Sequence, residues 1–169
     1  AQKALSAYRD HLEELVEERT AALQASEEKF RTVADWTYGW ESWVDPQGEI
    51  VYLSPLVEQI TGYPSQKFYD DPDFINKIIL EDDMRLWEIH LKEAVNITSA
   101  SDDVCVLEFR IRKSDGQIIW IGHTCRRVFS ESGEFLGRRI SNRDITERKQ
   151  AEIAIKQATA LAEAANQAK

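Results

Sequence analysis

His123 and Cys125 stand two apart in a segment of alternating apolar character, so a strand would turn both side chains the same way. An imidazole near a thiol is the start of a nucleophilic cysteine, which needs a base to make its thiolate. Nothing else in the chain approaches a clustered acid, base or nucleophile with an activating partner, so this segment reads as non-catalytic. The three carboxylates Glu81-Asp82-Asp83 could attract a cation, but at the start of a helix they complement its dipole and need none. His11, beside Asp10, could accept a phosphoryl group, yet the His-Glu-Ile-Arg-Thr-Pro surroundings of such histidines are missing. His90 lies one position off the apolar face of its helix and reads as half-exposed rather than as a ligand. No residue is assigned to a metal. Cys105 and Cys125 have no repeated spacing, so they give neither a disulfide framework nor a zinc motif, and buried thiols in a reducing compartment are the expectation.

Composition narrows the partners. The chain has 169 residues, 43% of them hydrophobic, enough for a domain with a real core and flanking helices. Its 30 acidic against 21 basic side chains give a formal charge of -9, which argues against a nucleic-acid surface or an anionic membrane as partner. No run of about eighteen apolar residues and no signal-peptide pattern occurs, so a cytoplasmic location is expected, with a membrane anchor still open for a longer parent chain.

The elements that position these residues follow from periodicity. Leu5, Tyr8, Leu12 and Leu15 recur at steps of three and four with glutamates between them, the seam of a pairing helix. Ser26, followed by Glu27 and Glu28, should start a new helical segment. From Tyr38 to Val44 the period falls to two, with Tyr38, Trp40, Ser42 and Val44 on one face; Asp45-Pro46-Gln47-Gly48 turns the chain into a returning strand through Leu53. Ser54-Pro55 reads as a helix start capped by Ser54, with Gly62 ending the helix in a left-handed conformation. Glu81 to about Val95 forms a longer helix with Met84, Trp87, Leu91 and Val95 inward.

Val104–Arg112 and Gln117–Phe129 form a long hairpin. A three-residue turn with Gly116 left-handed pairs Lys113 with Gln117, which sets Leu107, Phe109 and Ile111 opposite His123, Ile121 and Ile119. The same register sets Arg110 opposite Trp120, a cation–π pair, and Cys105 opposite Cys125. In the last strand, Phe135 to Ile145, alternation puts Arg138, Ile140 and Asn142 on one side. Arg138 therefore points toward the interior, where a salt bridge to one of the many acids is the expected partner and an acidic ligand the alternative. Ala151, Ala158 and Ala165, with Leu161, continue a weak seam along the final helix.

Several of these stretches resemble PAS domains. Tyr52-Leu53-Ser54-Pro55, then Ile60-Thr61-Gly62-Tyr63, are similar to the first half of that domain, and Asp144-Ile145-Thr146 resembles its ending, where the last strand hands over to an output helix. Ser54 departs from the Asn common there, and Arg138 from a mostly apolar strand. Leu12–Thr20 resembles signalling helices, and Gln157–Lys169 the linker into the phosphoacceptor helix of sensor histidine kinases. The resemblance implies an α+β PAS fold, a five-stranded antiparallel sheet with helices on one face, flanked by coiled-coil-type helices. The expected division is 1–26 signalling helix, 27–147 sensor domain and 148–169 output helix toward an effector.

The implied function is a signal-sensing, dimerising module of a two-component histidine kinase, relaying through Asp144, Ile145 and Thr146. The alternatives are a ligand-free dimerisation spacer and a module of a diguanylate cyclase. The implied partners are a second copy, paired through Leu5, Tyr8, Leu12, Leu15 and Leu161, a kinase domain in cis and a response regulator. Haem is disfavoured because Trp87 stands where haem PAS sensors carry the axial His, with His90 three places later. Covalent flavin photochemistry is disfavoured because no Cys lies between Ile60 and Val95. A small organic ligand or noncovalent flavin stays open, with Tyr38, Trp40, Phe109, Ile121, His123, Cys125 and Arg138 as pocket candidates.

Overall fold

Alternating apolar and polar residues build one five-stranded antiparallel sheet, and amphipathic helices cover one of its faces. The computed structural model describes residues 2–35, 38–95 and 104–167. The chain divides into two compact units, Ala1–Thr37 and Tyr38–Lys169.

The first unit is α1 (Gln2–Asp35), a helix without interruption at Ser26, so the separate start expected there is absent. With four glutamates between Leu12 and Arg19 and no Gly or Pro in its length, this sequence has no local reason to break. Tyr8, Leu12 and Leu15 of the expected seam are exposed on it, and Leu5 lies outside the residues whose side chains are described.

In the second unit the order is β1 (Trp40–Val44), β2 (Ile50–Leu53), α2 (Leu56–Thr61), α3 (Ser65–Asp70), α4 (Phe74–Ile78), α5 (Glu81–Val95), β3 (Cys105–Arg112), β4 (Ile118–Phe129), β5 (Phe135–Asp144) and α6 (Thr146–Gln167). The strands lie in the order β2-β1-β5-β4-β3. The last strand is thus the middle one, and its inward residues occupy the centre of the helix-covered face. The β3–β4 register is the expected one throughout, including Cys105 opposite Cys125 and Arg110 opposite Trp120. Gly137 in β5 is required by crowding and by its backbone: its φ is 111°, and an added Cβ would fall 2.1 Å from the Val44 carbonyl oxygen.

The core joins Trp40, Leu53, Val57, Phe68, Ile78, Ile79, Trp87, Phe109, Ile111, Ile119 and Ile121. Each such side chain contributes about 1.5–3 kcal/mol by leaving water. Ser54 acts differently from the cap expected of it. Pro55 rather than Ser54 stands at the N-cap of α2, and the Ser54 hydroxyl accepts the Glu41 N–H at 3.0 Å, while the Ser54 N–H donates to the Glu41 carbonyl at 2.8 Å. The fully buried serine therefore fastens the end of β2 to β1. Gly62 ends α2 as expected, at φ 74°. Asp83, beyond its place in the first turn of α5, accepts both the backbone and the guanidinium N–H groups of Arg110 and fixes α5 to β3.

Candidate functional site

A cavity of about 180 Å³ lies between the inner face of the sheet and the helices. Trp40, Leu53 and Phe68 form one apolar wall, Trp87 and Leu91 of α5 another, and Ile75 of α4 closes the side. Its polar lining includes Ser42, Asp73, Asn76, His90, His123, Arg138 and Asn142, with Asp73 the one carboxylate among them. Alternation along β5 places Arg138 and Asn142 there, because positions two and four apart share a strand face. The salt bridge expected for Arg138 is absent: among the described residues its guanidinium has neither an ion-pair nor a hydrogen-bond partner. Among the described residues the buried indole N–H of Trp40 also finds no acceptor. Two donors at one cavity are thus unmatched, an arrangement that suits an acceptor-bearing guest.

Beside the cavity, His90, His123 and Cys125 meet. Burial is the main reason that the His123 imidazole loses its proton far more readily than usual, at about 3, with the neighbouring His90 adding to the effect. His90 shifts the same way, through burial first and Arg138 second. Burial, reinforced by Cys105, pushes the Cys125 thiol up to about 11. All three are therefore neutral near pH 7. A thiol held protonated beside unprotonated imidazoles is the reverse of an activated nucleophile.

At the end of β5 the chain turns into α6. Asp144 Oδ1 accepts the Thr146 N–H at 2.9 Å, closing a local turn. Thr146 Oγ1 accepts the Trp120 N–H at 2.9 Å, and the Ile145 N–H donates to the Trp120 carbonyl at 2.9 Å, so the junction is stitched to β4. Glu108 of β3 binds both Arg148 and Lys149 in the first turn of α6. The Lys149 ammonium also lies 5.0 Å above the Trp120 ring. Its shared pairing, first with Lys149, holds the Glu108 carboxyl below the usual range.

Trp40, His123 and Arg138 thus line the cavity, and Cys125 stands next to it against His90. Phe109 and Ile121 are buried in the core beneath it. Tyr38, expected in the pocket, is 96% exposed: it precedes β1, so strand alternation does not govern its direction. The sequence reading missed His90, which is 6% exposed and faces β4 rather than water. Its position three residues after Trp87 is the signal that could have found it, because an apolar stripe about 100° wide takes in i+3 as well as i+4. The reading also missed Glu108 and Lys149, whose pairing depends on two elements far apart in sequence, β3 and α6.

This fold is that of sensory domains in signalling proteins. The description "PAS fold" fits residues 50–138, more than half of the chain, and the chain belongs to that family. It is 35% identical over 77 residues to the White collar 2 protein of Neurospora crassa, a match that takes in 46% of this chain and 13% of that protein. The chain therefore spans only a small part of that curated relative. A sensory box histidine kinase/response regulator from Burkholderia thailandensis superposes with a TM-score of 0.54 at 26% identity, covering 74% of this chain and 89% of that one. The N-terminal domain of a diguanylate cyclase with PAS/PAC sensor from Marinobacter aquaeolei gives 0.54 at 18% identity, covering 66% and 98%, and shares the fold. No described helix is long and apolar enough to cross a membrane.

Proposed function

We propose that this chain is the sensing and dimerising segment of a sensor histidine kinase, and that its cavity takes a compact organic acid. The observation that carries the reading is the unpaired Arg138 guanidinium, set in the middle strand of the sheet and at a cavity whose other walls are largely aromatic and aliphatic. A carboxylate there would meet the charge of Arg138. The volume, below the roughly 300–1,000 Å³ of drug-sized ligand sites, favours a compact acid over a flavin. Arg138 lies on the same strand that ends at Asp144, so a ligand that shifts β5 would bias the turn into α6. Differential affinity for two settings of that junction is what would carry the signal. The likeness to the Burkholderia kinase segment supports a kinase as the effector, and the Marinobacter likeness keeps a diguanylate cyclase as the second reading.

Native mass spectrometry of the protein purified from its own host tests the sensor reading. One bound small acid is expected in the wild type, with loss of most of it in Arg138→Ala. An empty wild-type protein would favour the ligand-free spacer. In the parent protein, Asp144→Ala should uncouple regulated output while the domain keeps its fold; normal regulated signalling by that variant would overturn the relay.

A further inference from the structure

Three side chains that the relay leaves unused converge at the cavity wall. His90 comes from α5, while His123 and Cys125 share the inner face of β4. Nε2 of His90 lies 3.0 Å from Nε2 of His123 and 3.5 Å from Sγ of Cys125. All three potential ligand atoms fall within 4.8 Å of one another. A tetrahedral ion with nitrogens at about 2.0–2.1 Å and sulfur at about 2.3 Å spaces its nitrogens about 3.3 Å apart, and nitrogen from sulfur about 3.6 Å. The two spacings that involve His90 differ from these by a few tenths of an ångström, while His123 Nε2 and Cys125 Sγ, within 4.8 Å of each other, would close by up to about 1 Å on an ion through rotation of the Cys125 side chain.

The surroundings fit as well. The Asn142 Oδ1 lies 2.8 Å from His123 Nδ1 and can only accept, so the ring proton sits on Nδ1 and the lone pair of Nε2 faces His90. That outer hydrogen bond is the support that metal-binding histidines ordinarily have. All three residues are buried, at 6%, 1% and 4% exposure. Around them stand Trp87 and Phe109, so the polar trio sits in a core where apolar side chains would pack with less desolvation cost.

We propose that His90, His123 and Cys125 are three ligands of a transition-metal ion of the Zn²⁺ class, with the fourth coordination position open to the cavity. Imidazole and thiolate favour such an ion over Mg²⁺ or Ca²⁺, which take oxygen ligands. Binding forms one metal–sulfur and two metal–nitrogen bonds, releases the Cys125 thiol proton to solvent and moves the His90 ring proton from Nε2, which faces His123, to Nδ1; no oxidation occurs. The thiolate offsets one of the ion's two charges. Arg138 opposes the remaining charge, so an anion or a water from the cavity completes the shell. This site goes beyond the relay reading and holds or fails independently of it.

Cobalt(II) is the probe, titrated into the reduced, chelator-stripped chain. One equivalent should bind with tetrahedral d–d absorption and a thiolate-to-cobalt charge-transfer band, both removed by added Zn²⁺. Cys125→Ser should abolish the charge-transfer band, and His90→Gln should weaken binding at least about tenfold. Asn142→Leu, touching no ion, should cost about ten- to a hundredfold, whereas Cys105→Ser should keep the one-to-one complex and its charge-transfer band. Circular dichroism establishes that each variant is folded, and Cys125→Ala carries the same test if the serine variant is not. Absence of a one-to-one complex in the wild type overturns the proposal, as does a charge-transfer band that persists in Cys125→Ser or follows Cys105.

Discussion

Asp83 shows how one side chain fixes a helix to a sheet. Both of its oxygens accept from Arg110, at 2.7, 2.8 and 2.9 Å, and the pair is largely shielded from water. The side-chain hydrogen bond from Arg110 holds the Asp83 carboxyl below its usual range, against the opposing effect of burial. The unfolded chain, with an ordinary Asp near about 3.9, therefore binds this proton at higher pH than the folded chain. The stabilisation is complete above that value and is lost as pH falls through the lower, folded one. Asp83→Asn should cost about 2 kcal/mol in urea denaturation at pH 7. The variant should also show a shallower loss of stability than the wild type as pH falls below the ordinary Asp value of about 3.9. Parallel acid profiles for the two proteins would remove the clamp from the account.

Among the elements, α6 is the one whose root would carry the proposed relay. Its first turn is held by Glu108 from β3 and by the ring of Trp120 from β4, while its later turns are exposed. A junction of this kind can be loosened without unfolding the sheet, because partly exposed ion pairs contribute little to global stability. Glu108→Gln should therefore lower stability by less than about 1 kcal/mol, yet speed amide hydrogen exchange through Glu147–Lys149 severalfold. Unchanged exchange there would mean that Thr146 and Asp144 alone secure the helix. Gly122 contributes as well: a Cβ at this position would come 3.1 Å from Ile145 Cγ2, so Gly122→Ala should disturb the same turn by pressing on it from the sheet.

For the molecule as a whole, the open question of scale is pairing. The apolar residues of α1, Tyr8, Leu12 and Leu15, and Leu161 of α6 are exposed. A seam of this length has a reason to find a second copy, since apolar rows left in water are costly when they recur at heptad spacing. Sedimentation velocity should show a dimer, and Leu12→Glu combined with Leu15→Glu should convert it to a monomer. The circular dichroism of the sheet-bearing unit should not change, because its core draws on none of these residues. A monomeric wild-type chain across micromolar concentrations would exclude the seam.

What the sequence determined by itself was whatever rests on neighbours along the chain. Alternation and a turn with Gly116 dictate the pairing of Phe109 with Ile121 and of Cys105 with Cys125, since a one-residue slip would send every isoleucine of the hairpin to the wrong face. The start of α5 at Glu81, the left-handed end of α2 at Gly62 and the handover at Asp144 are local in the same sense. Only the tertiary structure decided what stands across from these residues. Ser54 serves β1 rather than α2, because Glu41 brings its backbone within reach. His90 is buried because α5 lies over β4, and Arg138 stands at a cavity because the last strand is inserted between β1 and β4. Spacing along a chain fixes which side chains share a face. The partner that face meets is set by long-range packing, and the cavity and its histidines belong to that second kind of information.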